Sequence, residues 1–279
     1  MTKRKSPLVG AISANLLVLF SFLLVLPFIW QVMTSFRSSE DIYKIPADLI
    51  LKRPSLHFYD LVFTKHSFGH YLWNSVYVSF IAMALGLLCA IPASYAIVRI
   101  PFTGSGFISR FILCANMFPI VAIVCPLYVI FKGMGLVNDT HMGLIIASTV
   151  LTLPISIFTL NAFLRQIPMD LEVAAMVDGA SRFQAVVRII LPLLAPAIFT
   201  TAIISFIGAW NELMFSLIFA AKKNMRTVPV AIAMMPGEFS LPWGDIAAAS
   251  VVATLPLVIV VLICQKQVVA GLTAGAVKG

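Results

Sequence analysis

Charged residues are scarce in this sequence. They make up 11% of its 279 residues, whereas hydrophobic residues make up 61%. Soluble globular domains contain about 25% charged and about 45–50% apolar residues, so this composition excludes a water-soluble monomer. The 19 basic residues outnumber the 11 acidic ones but form no long run or arginine-rich stripe, so a nucleic-acid partner is not predicted. The basic excess suits anionic lipid headgroups and a partner surface.

Cysteine is equally sparse and lacks a pattern. The four cysteines all fall inside apolar stretches, and no two form a C-x-x-C pair; they are Cys89, Cys114, Cys125 and Cys264. Neither a disulfide framework nor a zinc site is therefore indicated. We expect all four to be small, buried apolar side chains.

The residues of a nucleotide or metal site are also lacking. A phosphate loop has the pattern G-x-x-x-x-G-K-[ST], and this sequence contains no Gly-Lys dipeptide. The histidines lie in predicted outer loops, outside any H-E-x-x-H motif or cluster with acids; they are His57, His66, His70 and His141. We therefore expect no catalytic residue, cofactor or metal on this chain, and hydrolysis of any ATP on another polypeptide.

Long apolar runs are what the sequence has instead. Six of them, at about residues 8–33, 71–98, 107–131, 142–164, 196–221 and 246–265, are each long enough to cross a bilayer as a helix. Because backbone groups in lipid must bond to one another, the runs predict an all-helical bundle. The first run is longer than the apolar core of a signal peptide and reads as an uncleaved span.

The charges beside these runs give the expected orientation. Lys and Arg are nearly balanced between the two sides, but many of the outer ones lie in one long loop, which crosses a membrane with less regard to charge. We therefore expect both termini in the cytoplasm. Residues 1–33 would form the N-terminus and first span, and residues 34–70 an extracytoplasmic loop. Residues 71–279 would form a core of five spans, with a cytoplasmic loop at 165–195 and a cytoplasmic tail at 266–279.

The first half of the loop at 165–195 has the local chemistry of a short helix. Pro168 can occupy the first turn of a helix. Asp170 and Glu172 favour the N-terminal end of the helix, where carboxylates are stabilised. Gly179 can take the left-handed conformation that ends it.

A second short helix follows at once. Ser181 and Gln184 have the spacing of a capping box, and Pro192 is expected to end this helix. The resulting helix-turn-helix is amphipathic and too short to span. It is either an interfacial helix on the lipid surface or a docking surface.

This loop resembles the "EAA" loop of ABC importer permeases. The match is Ala174-Ala175, three residues, Gly179, nine residues, Ile189, one residue and Leu191-Pro192. The sequence Asp178-Gly179-Ala180-Ser181 is the form usual among carbohydrate permeases. Val173 stands where the motif has its glutamate. The nearby Glu172 is rotated from that position by about 100° of helix.

Three further stretches resemble the maltose-type carbohydrate permeases, specifically the MalG-like member of the permease pair. They are Trp210-Asn211-Glu212, Arg226-Thr227-Val228-Pro229-Val230, and the tail at 265–279. The resemblance implies an all-α integral membrane protein with six transmembrane helices in a type I ABC importer permease (MetI-like) bundle. It also implies a bacterial or archaeal plasma membrane as the location.

The resemblance further implies partners and roles. The partners are a second homologous permease in a heterodimer, two copies of an ATP-binding subunit that carries ATP and magnesium, an extracytoplasmic sugar-binding protein, and membrane lipid. The residues implied to couple to the ATPase are Glu172, Val173, Ala174, Ala175, Asp178, Gly179, Ala180 and Ser181.

Trp210, Asn211 and Glu212 are candidates for the translocation path. Glu212 is the one carboxylate well inside a predicted span, where an ionised group is usually functional or paired. Its alternative role is a structural contact, for which Asn211 offers a nearby hydrogen-bond partner. Trp210 has a flat face that suits a sugar ring, and packing is its alternative.

Other classes of function remain as alternatives. An ion-driven secondary transporter needs internal repeats and several ionisable groups inside the membrane, and only Glu212 qualifies. An ABC permease for a non-sugar solute is a second alternative. An intramembrane hydrolase lacks any nucleophile or metal constellation here.

The expected orientation can be tested by labelling of single cysteines. A cysteine placed at Ser38, in the predicted extracytoplasmic loop, should react with an impermeant reagent on intact cells. A cysteine placed at Ser181 should react only after the membrane is permeabilised. The reverse pattern would contradict the topology.

Overall fold

Helices account for the regular structure of the described chain. A computed structural model describes residues 7–45, 48, 50–51, 53–138, 140–237 and 241–276, with side chains only within residues 15–264. Over these residues every regular element is a helix, which confirms the all-α prediction. The chain divides into two compact units: Met1–Phe68 with Met234–Thr254, and Gly69–Ala233 with Leu255–Gly279.

The first unit contains one long apolar helix and two short ones. α1 is Pro7–Ser35, α2 is Ser39–Ile42 and α3 is His57–Thr64. The exposed leucine, valine and phenylalanine side chains along residues 16–30 of α1 leave that stretch for lipid or a partner. At its C-terminal end the hydroxyls of Ser35 and Tyr59 lie 2.8 Å apart and join α1 to α3.

The second unit is built around three long helices. α4 is Phe68–Arg99, α7 is Met142–Leu164 and α10 is Leu191–Trp210. Small and hydroxyl residues let these helices approach closely, as membrane helices commonly do. Thr152 of α7 lies between Gly86 of α4 and Gly208 of α10. The hydroxyls of Ser156 and Ser205 lie 2.9 Å apart across the contact of α7 with α10.

The third apolar run is divided into two helices. It forms α5, Ser105–Asn116, and α6, Ile120–Gly133, which meet at an angle of 95°. Pro119, in an extended conformation before α6, explains the break, because proline has no N–H and also keeps the preceding residue out of the helical region. Among the described residues five helices are long and apolar enough to cross a membrane, and the bent pair makes six if it is one span.

The fifth apolar run differs from the predicted span at residues 196–221. The helix that contains it begins before residue 196 and ends at Trp210. α8, Asp170–Val177, is followed by α9, Arg182–Ala185, which continues through a π-helical turn, Val186–Ile190, directly into α10. Pro192 therefore does not end the second helix. The amide of Leu191 bonds to the carbonyl of Val186, and this wider turn lets a single helix continue past the proline.

The remaining elements complete the chain. α11 is Met214–Phe219, Lys223–Met225 forms a 3₁₀ turn, α12 is Val228–Ala233 and α13 is Trp243–Ala276. The predicted fifth span at 196–221 is thus interrupted at residues 211–213. Residues 3–5, whose charges contributed to the orientation, and residues 277–279 lie outside the described residues.

The cysteines correct one expectation. Cys89, Cys114 and Cys125 are free and exposed, and Cys264 is partly exposed, whereas burial had been expected. In a bundle that lies in lipid, an apolar side chain gains as much by facing outward as inward, so an apolar sequence neighbourhood does not predict burial.

The start of α7 makes a testable close contact. The amide of Gly143 donates to the carbonyl of Leu136 at 2.9 Å, and a Cβ atom at Gly143 would lie 2.5 Å from that same oxygen. We expect Gly143→Ala to lower the free energy of unfolding by about 1–3 kcal/mol, because backbone must move. Thermal unfolding in detergent measures this loss.

Gly86→Ala is the matched control for this prediction. A Cβ atom there would lie 3.6 Å from the Oγ1 atom of Thr152, an ordinary van der Waals contact. Its melting temperature should stay at or above that of the wild type, since alanine is the better helix former. Equal melting temperatures for the wild type and Gly143→Ala would contradict the assigned close contact.

Candidate functional site

The turn after α8 has the geometry expected of a helix that ends on glycine. Gly179 has φ +91°, which confirms the predicted left-handed conformation. Its amide donates to the carbonyl of Met176 at 3.1 Å, and the amide of Ala180 donates to that of Ala175 at 2.9 Å. These two bonds form a Schellman motif. The start of α8 differs from expectation: Met169 is its N-cap, so Pro168 lies before the first turn.

The start of α9 confirms the predicted capping box. The Ser181 hydroxyl accepts from the amide of Gln184 at 3.3 Å, and the side-chain oxygen of Gln184 accepts from the amide of Ser181 at 2.8 Å. Both short helices are therefore fixed by local bonds.

The helix-turn-helix exposes apolar side chains. Val177 is 81% exposed, Phe183 is 76% exposed and Val173 is 46% exposed. Exposed apolar surface on a segment that is otherwise well ordered is typical of an interaction site. Ala174, Asp178, Gly179 and Ser181 are also exposed, whereas Ala175 is buried against the rest of the unit.

Glu172 faces the other way. It is 4% exposed, and its carboxylate forms an ion pair with Arg99, the last residue of α4, at 2.8 Å. The hydroxyl of Tyr95 donates to the second carboxylate oxygen at 2.9 Å. Glu172 is therefore bound inside the unit, and Val173, one residue further along the helix, carries the exposed position.

Arg99 and Tyr95 are functional candidates that the sequence did not reveal. They precede Glu172 by more than seventy residues in the printed sequence, and no motif links them. The available signal was a basic residue at the end of an apolar run and a carboxylate at the start of a short helix. Either residue alone reads as an ordinary helix-end charge.

The three translocation-path candidates lie at the interruption after α10. Trp210 is 3% exposed and packs against Phe206, with ring centroids 5.8 Å apart, whereas Asn211 is exposed. The Glu212 carboxylate accepts from the amides of Phe215 at 2.9 Å and Ser216 at 3.0 Å. It therefore caps α11 and does not pair with Asn211.

Polar side chains hold the segment that contains Arg226 to Val230. His70 bonds to the carbonyl of Asn224 at 2.6 Å, and His141 bonds to that of Met225 at 3.1 Å. The Ser75 hydroxyl accepts from the amide of Val228 at 2.7 Å. Burial lowers the pKa of His141, so at neutral pH its ring is the neutral form.

His66 is also a structural contact. His66 lies 2.9 Å from the carboxylate of Asp245. Within the described residues no three His, Cys, Asp or Glu side chains are grouped so that they could hold a metal ion.

A cavity of about 370 Å³ lies where the bend between α5 and α6 faces α7. Its lining is almost wholly apolar and includes Phe111, Phe118, Val150 and Pro154. A sugar needs several hydrogen-bonding groups, so this cavity by itself suits an apolar side chain or a lipid chain better than a carbohydrate.

The tail at 266–279 falls largely beyond the description of the chain. The backbone of α13 is helical through Ala276, but side chains after Cys264 lie outside the described residues. The predicted cytoplasmic location of this tail therefore stays a prediction.

The helices and the segment at 170–192 define a membrane-embedded transport subunit, and comparison with known proteins agrees. Residues 82–273 match the family described as "Binding-protein-dependent transport system inner membrane component". The chain is 40% identical over 280 residues to the "Trehalose/maltose transport system permease protein MalG" of Thermococcus litoralis, covering 99% of this chain and 98% of that protein. It is 39% identical over 257 residues to the "Trehalose transport system permease protein SugB" of Mycobacterium tuberculosis, covering 91% and 93% of the two chains.

Solved structures have the same fold. A chain of a bacterial ABC transporter "involved in the import of the acidic polysaccharide alginate" superimposes with a TM-score of 0.78 at 18% identity, over 95% of this chain and 98% of that one. The bacterial alginate ABC transporter "in complex with alginate pentasaccharide-bound periplasmic protein" gives a TM-score of 0.68 at 19% identity, over 92% of each chain.

The protein belongs to the family of inner membrane components of binding-protein-dependent transport systems. It is a multi-pass membrane permease with the predicted MetI-like fold. As a permease it is a transport subunit and not an enzyme, and ATP hydrolysis belongs to the partner ATPase.

The cap on α11 gives a testable consequence. Glu212→Ala would leave the amides of Phe215 and Ser216 without their acceptor and should lower the free energy of unfolding by about 1–3 kcal/mol. Glu212→Gln keeps one side-chain oxygen and should lose less. Thermal unfolding in detergent measures both, with Glu40→Ala, an exposed carboxylate of α2, as the control. A melting temperature of Glu212→Ala equal to that of the control would contradict the capping role.

Proposed function

We propose that this chain is a permease subunit of an ATP-driven sugar importer. The observation that carries the proposal is the similarity, over nearly the whole chain, to permeases named for sugar transport. Besides the two relatives given above, the "Sulfoquinovosyl glycerol transport system permease protein SmoH" of Agrobacterium fabrum is 37% identical over 253 residues. That similarity covers 91% of this chain and 88% of that protein.

The substrate we propose is an oligosaccharide or disaccharide. Trehalose and maltose, named for the 40% identical relative, are the first sugars to test. If the reconstituted complex takes up no sugar, the alternative of a permease for a non-sugar solute is favoured.

The complex that we propose contains three other kinds of subunit. A second homologous permease completes the translocation path, two copies of an ATP-binding subunit carry ATP and magnesium, and an extracytoplasmic binding protein delivers the sugar. The structure in complex with a "pentasaccharide-bound periplasmic protein" supports a binding-protein partner, because its permease fold matches this chain.

Coupling to the ATPase is assigned to the exposed face of α8 and the turn that follows. Val173, Ala174, Asp178, Gly179 and Ser181 are exposed there. Alanine and glycine at such positions let a helix lie deep in a groove of its partner. We infer that closure of the ATPase dimer moves α8, and that this movement turns the bundle between inward-open and outward-open states.

The interrupted helix at residues 211–213 is assigned to the translocation path. Irregular backbone at membrane depth is tolerated only where it is buried in protein or lines a cavity. Asn211 is exposed and offers both a hydrogen-bond donor and an acceptor to a passing sugar. Trp210 is buried behind it and Glu212 caps α11, so these two residues shape the segment rather than bind sugar.

The proposed orientation has both termini in the cytoplasm, which places α8 on the side of the ATPase. This arrangement follows from the charge analysis and is tested by the labelling of Ser38 and Ser181. The tail at 266–279 would then also lie on the cytoplasmic side.

Reconstitution of the complex tests both the function and the coupling surface. The complex in liposomes should take up labelled trehalose or maltose when ATP and the loaded binding protein are supplied. Gly179→Val should lower the stimulation of ATP hydrolysis by the loaded binding protein about tenfold. Valine in the left-handed conformation costs about 1–2 kcal/mol, and relief of that strain reshapes the turn.

Two further variants complete this experiment. Gly133→Val is the matched control, because a Cβ atom there also meets open space but the residue has no positive φ. Val173→Glu restores the residue usual in the motif and should be tolerated at an exposed position. Full stimulation in Gly179→Val would contradict the coupling role and would favour the alternative, in which the loop lies on the lipid surface. Absence of any sugar uptake by the wild-type complex would refute sugar import.

A further inference from the structure

A buried polar cluster joins α8 to the membrane helices. Arg99 is 9% exposed and Glu172 is 4% exposed, and the guanidinium Nε lies 2.8 Å from the carboxylate Oε1. The hydroxyl of Tyr95, one helical turn before Arg99 in α4, donates to Oε2 at 2.9 Å. One oxygen of the Glu172 carboxylate therefore accepts a hydrogen bond from Tyr95, and the other is held in an ion pair with Arg99 whose geometry is not that of a hydrogen bond.

Arg99 also binds the end of α7. Its Nη2 atom donates to the carbonyl of Leu164, the last residue of α7, at 3.1 Å and to that of Ile167 at 2.6 Å. One guanidinium thus donates hydrogen bonds to two backbone carbonyls and also forms an ion pair with the carboxylate on α8. A lysine ammonium, a point charge on a flexible stem, does not have this fixed fork of donors.

The cluster is not explained by stability alone. A buried ion pair is weak evidence for stability, because well-packed apolar residues of similar volume often replace it without loss. What the cluster does provide is direction, because the hydrogen bonds of Arg99 to the end of α7 and of Tyr95 to Glu172 fix the positions of both members of the ion pair. The Arg99 side chain sets the position of α8 relative to the ends of α4 and α7 in a way that apolar packing does not.

Most of the other side chains of α8 are exposed, so few contacts connect this helix to the rest of the unit. Leu171, Val173, Val177 and Asp178 are exposed, whereas Glu172 and Ala175 are its buried residues. Among the described hydrogen bonds and ion pairs, those of Glu172 are the ones that join a side chain of α8 to α4. A force applied to the exposed face of α8 therefore reaches α4 through this carboxylate and through packing, whereas it reaches α10 through the chain that continues into α9.

We propose that Arg99 is a positioning residue for coupling, which acts through Glu172 to transmit movement of α8 to α4 and α7. Tyr95 supports it by holding the second carboxylate oxygen. This inference rests on the proposed function, in which α8 docks onto the ATPase. It assigns to Glu172 a role inside the permease and not a contact with the partner.

The test uses the full complex in liposomes, with the sugar, trehalose or maltose, that the wild type transports. In the double variant Arg99→Met with Glu172→Leu, an apolar pair replaces the ion pair. Tyr95→Phe removes a single hydroxyl, and Arg99→Lys keeps the charge without the fork. Arg110→Met is the matched control, because it removes an exposed arginine whose described hydrogen bond stays within α5. Each complex is measured for assembly and for sugar transported per ATP hydrolysed.

We expect the double variant to assemble and to transport about tenfold less sugar per ATP than the wild type, which is in the usual range of coupling between sites. The transport per ATP of Arg99→Lys should lie between those of the double variant and the wild type. Tyr95→Phe should transport about twofold less sugar per ATP than the wild type, and Arg110→Met should transport as much. A purely structural role would lower the amount of assembled complex without changing transport per ATP.

The remaining outcomes are also decisive. Wild-type transport per ATP in the assembled double variant would overturn the proposal. If the double variant does not assemble, Arg99→Lys and Tyr95→Phe decide it: a reduced ratio in both supports the proposal, and a wild-type ratio in both overturns it. A wild-type complex that neither transports sugar nor responds to the loaded binding protein refutes the proposed function instead.

Discussion

The fold depends on one constraint: lipid offers no hydrogen bonds, so each polar group of the spanning chain must find its partner within the protein. Long helices satisfy the backbone of α1, α4, α7, α10 and α13. Hydroxyl side chains in the bundle commonly bond to the carbonyl one turn earlier in their own helix, as Thr152 and Thr201 do. The same constraint explains why polar residues in the bundle are mostly small.

Where a helix is interrupted, the structure supplies a local substitute for the lost bonds. Pro119 has no N–H to satisfy at the bend between α5 and α6. At residues 211–213 the Glu212 carboxylate accepts hydrogen bonds from two backbone amides at the start of α11. In the segment after α11, His70, Asn74 and His141 bind the carbonyls of Asn224 and Met225. Each interruption thus coincides with a proline or a polar side chain that the sequence displays.

Much of this was readable from the sequence because it depends on short-range chemistry. The apolar runs located the spans, Gly179 gave the left-handed end of α8, and Ser181 with Gln184 gave the capping box. What the sequence did not reveal depends on contacts distant along the chain. The Arg99–Glu172 ion pair crosses more than seventy residues, and the exposure of Cys89 depends on which helices α4 packs against.

Prolines were the least predictable residues, because their effect depends on the turn before them. Pro119 separates two helices at 95°, whereas Pro192, Pro154 and Pro256 lie within continuous helical stretches. Only the structure shows which carbonyl each proline leaves without a donor and whether the backbone widens to accommodate it.

The π turn at Val186–Ile190 has a consequence for how such a chain tolerates insertions and deletions. Because a π turn spaces its hydrogen bonds five residues apart, it holds one residue more than an α-helical turn of the same length. Loss of one residue within the π turn would return it to an ordinary α-helical turn and would leave Phe183 and the capping box on nearly the same side of the helix axis. Each residue of an α-helix adds about 100° of rotation, so the same loss within the α-helical part of α10 would turn that face away. The π turn is therefore the place in this helix where the loss of one residue least disturbs the exposed face.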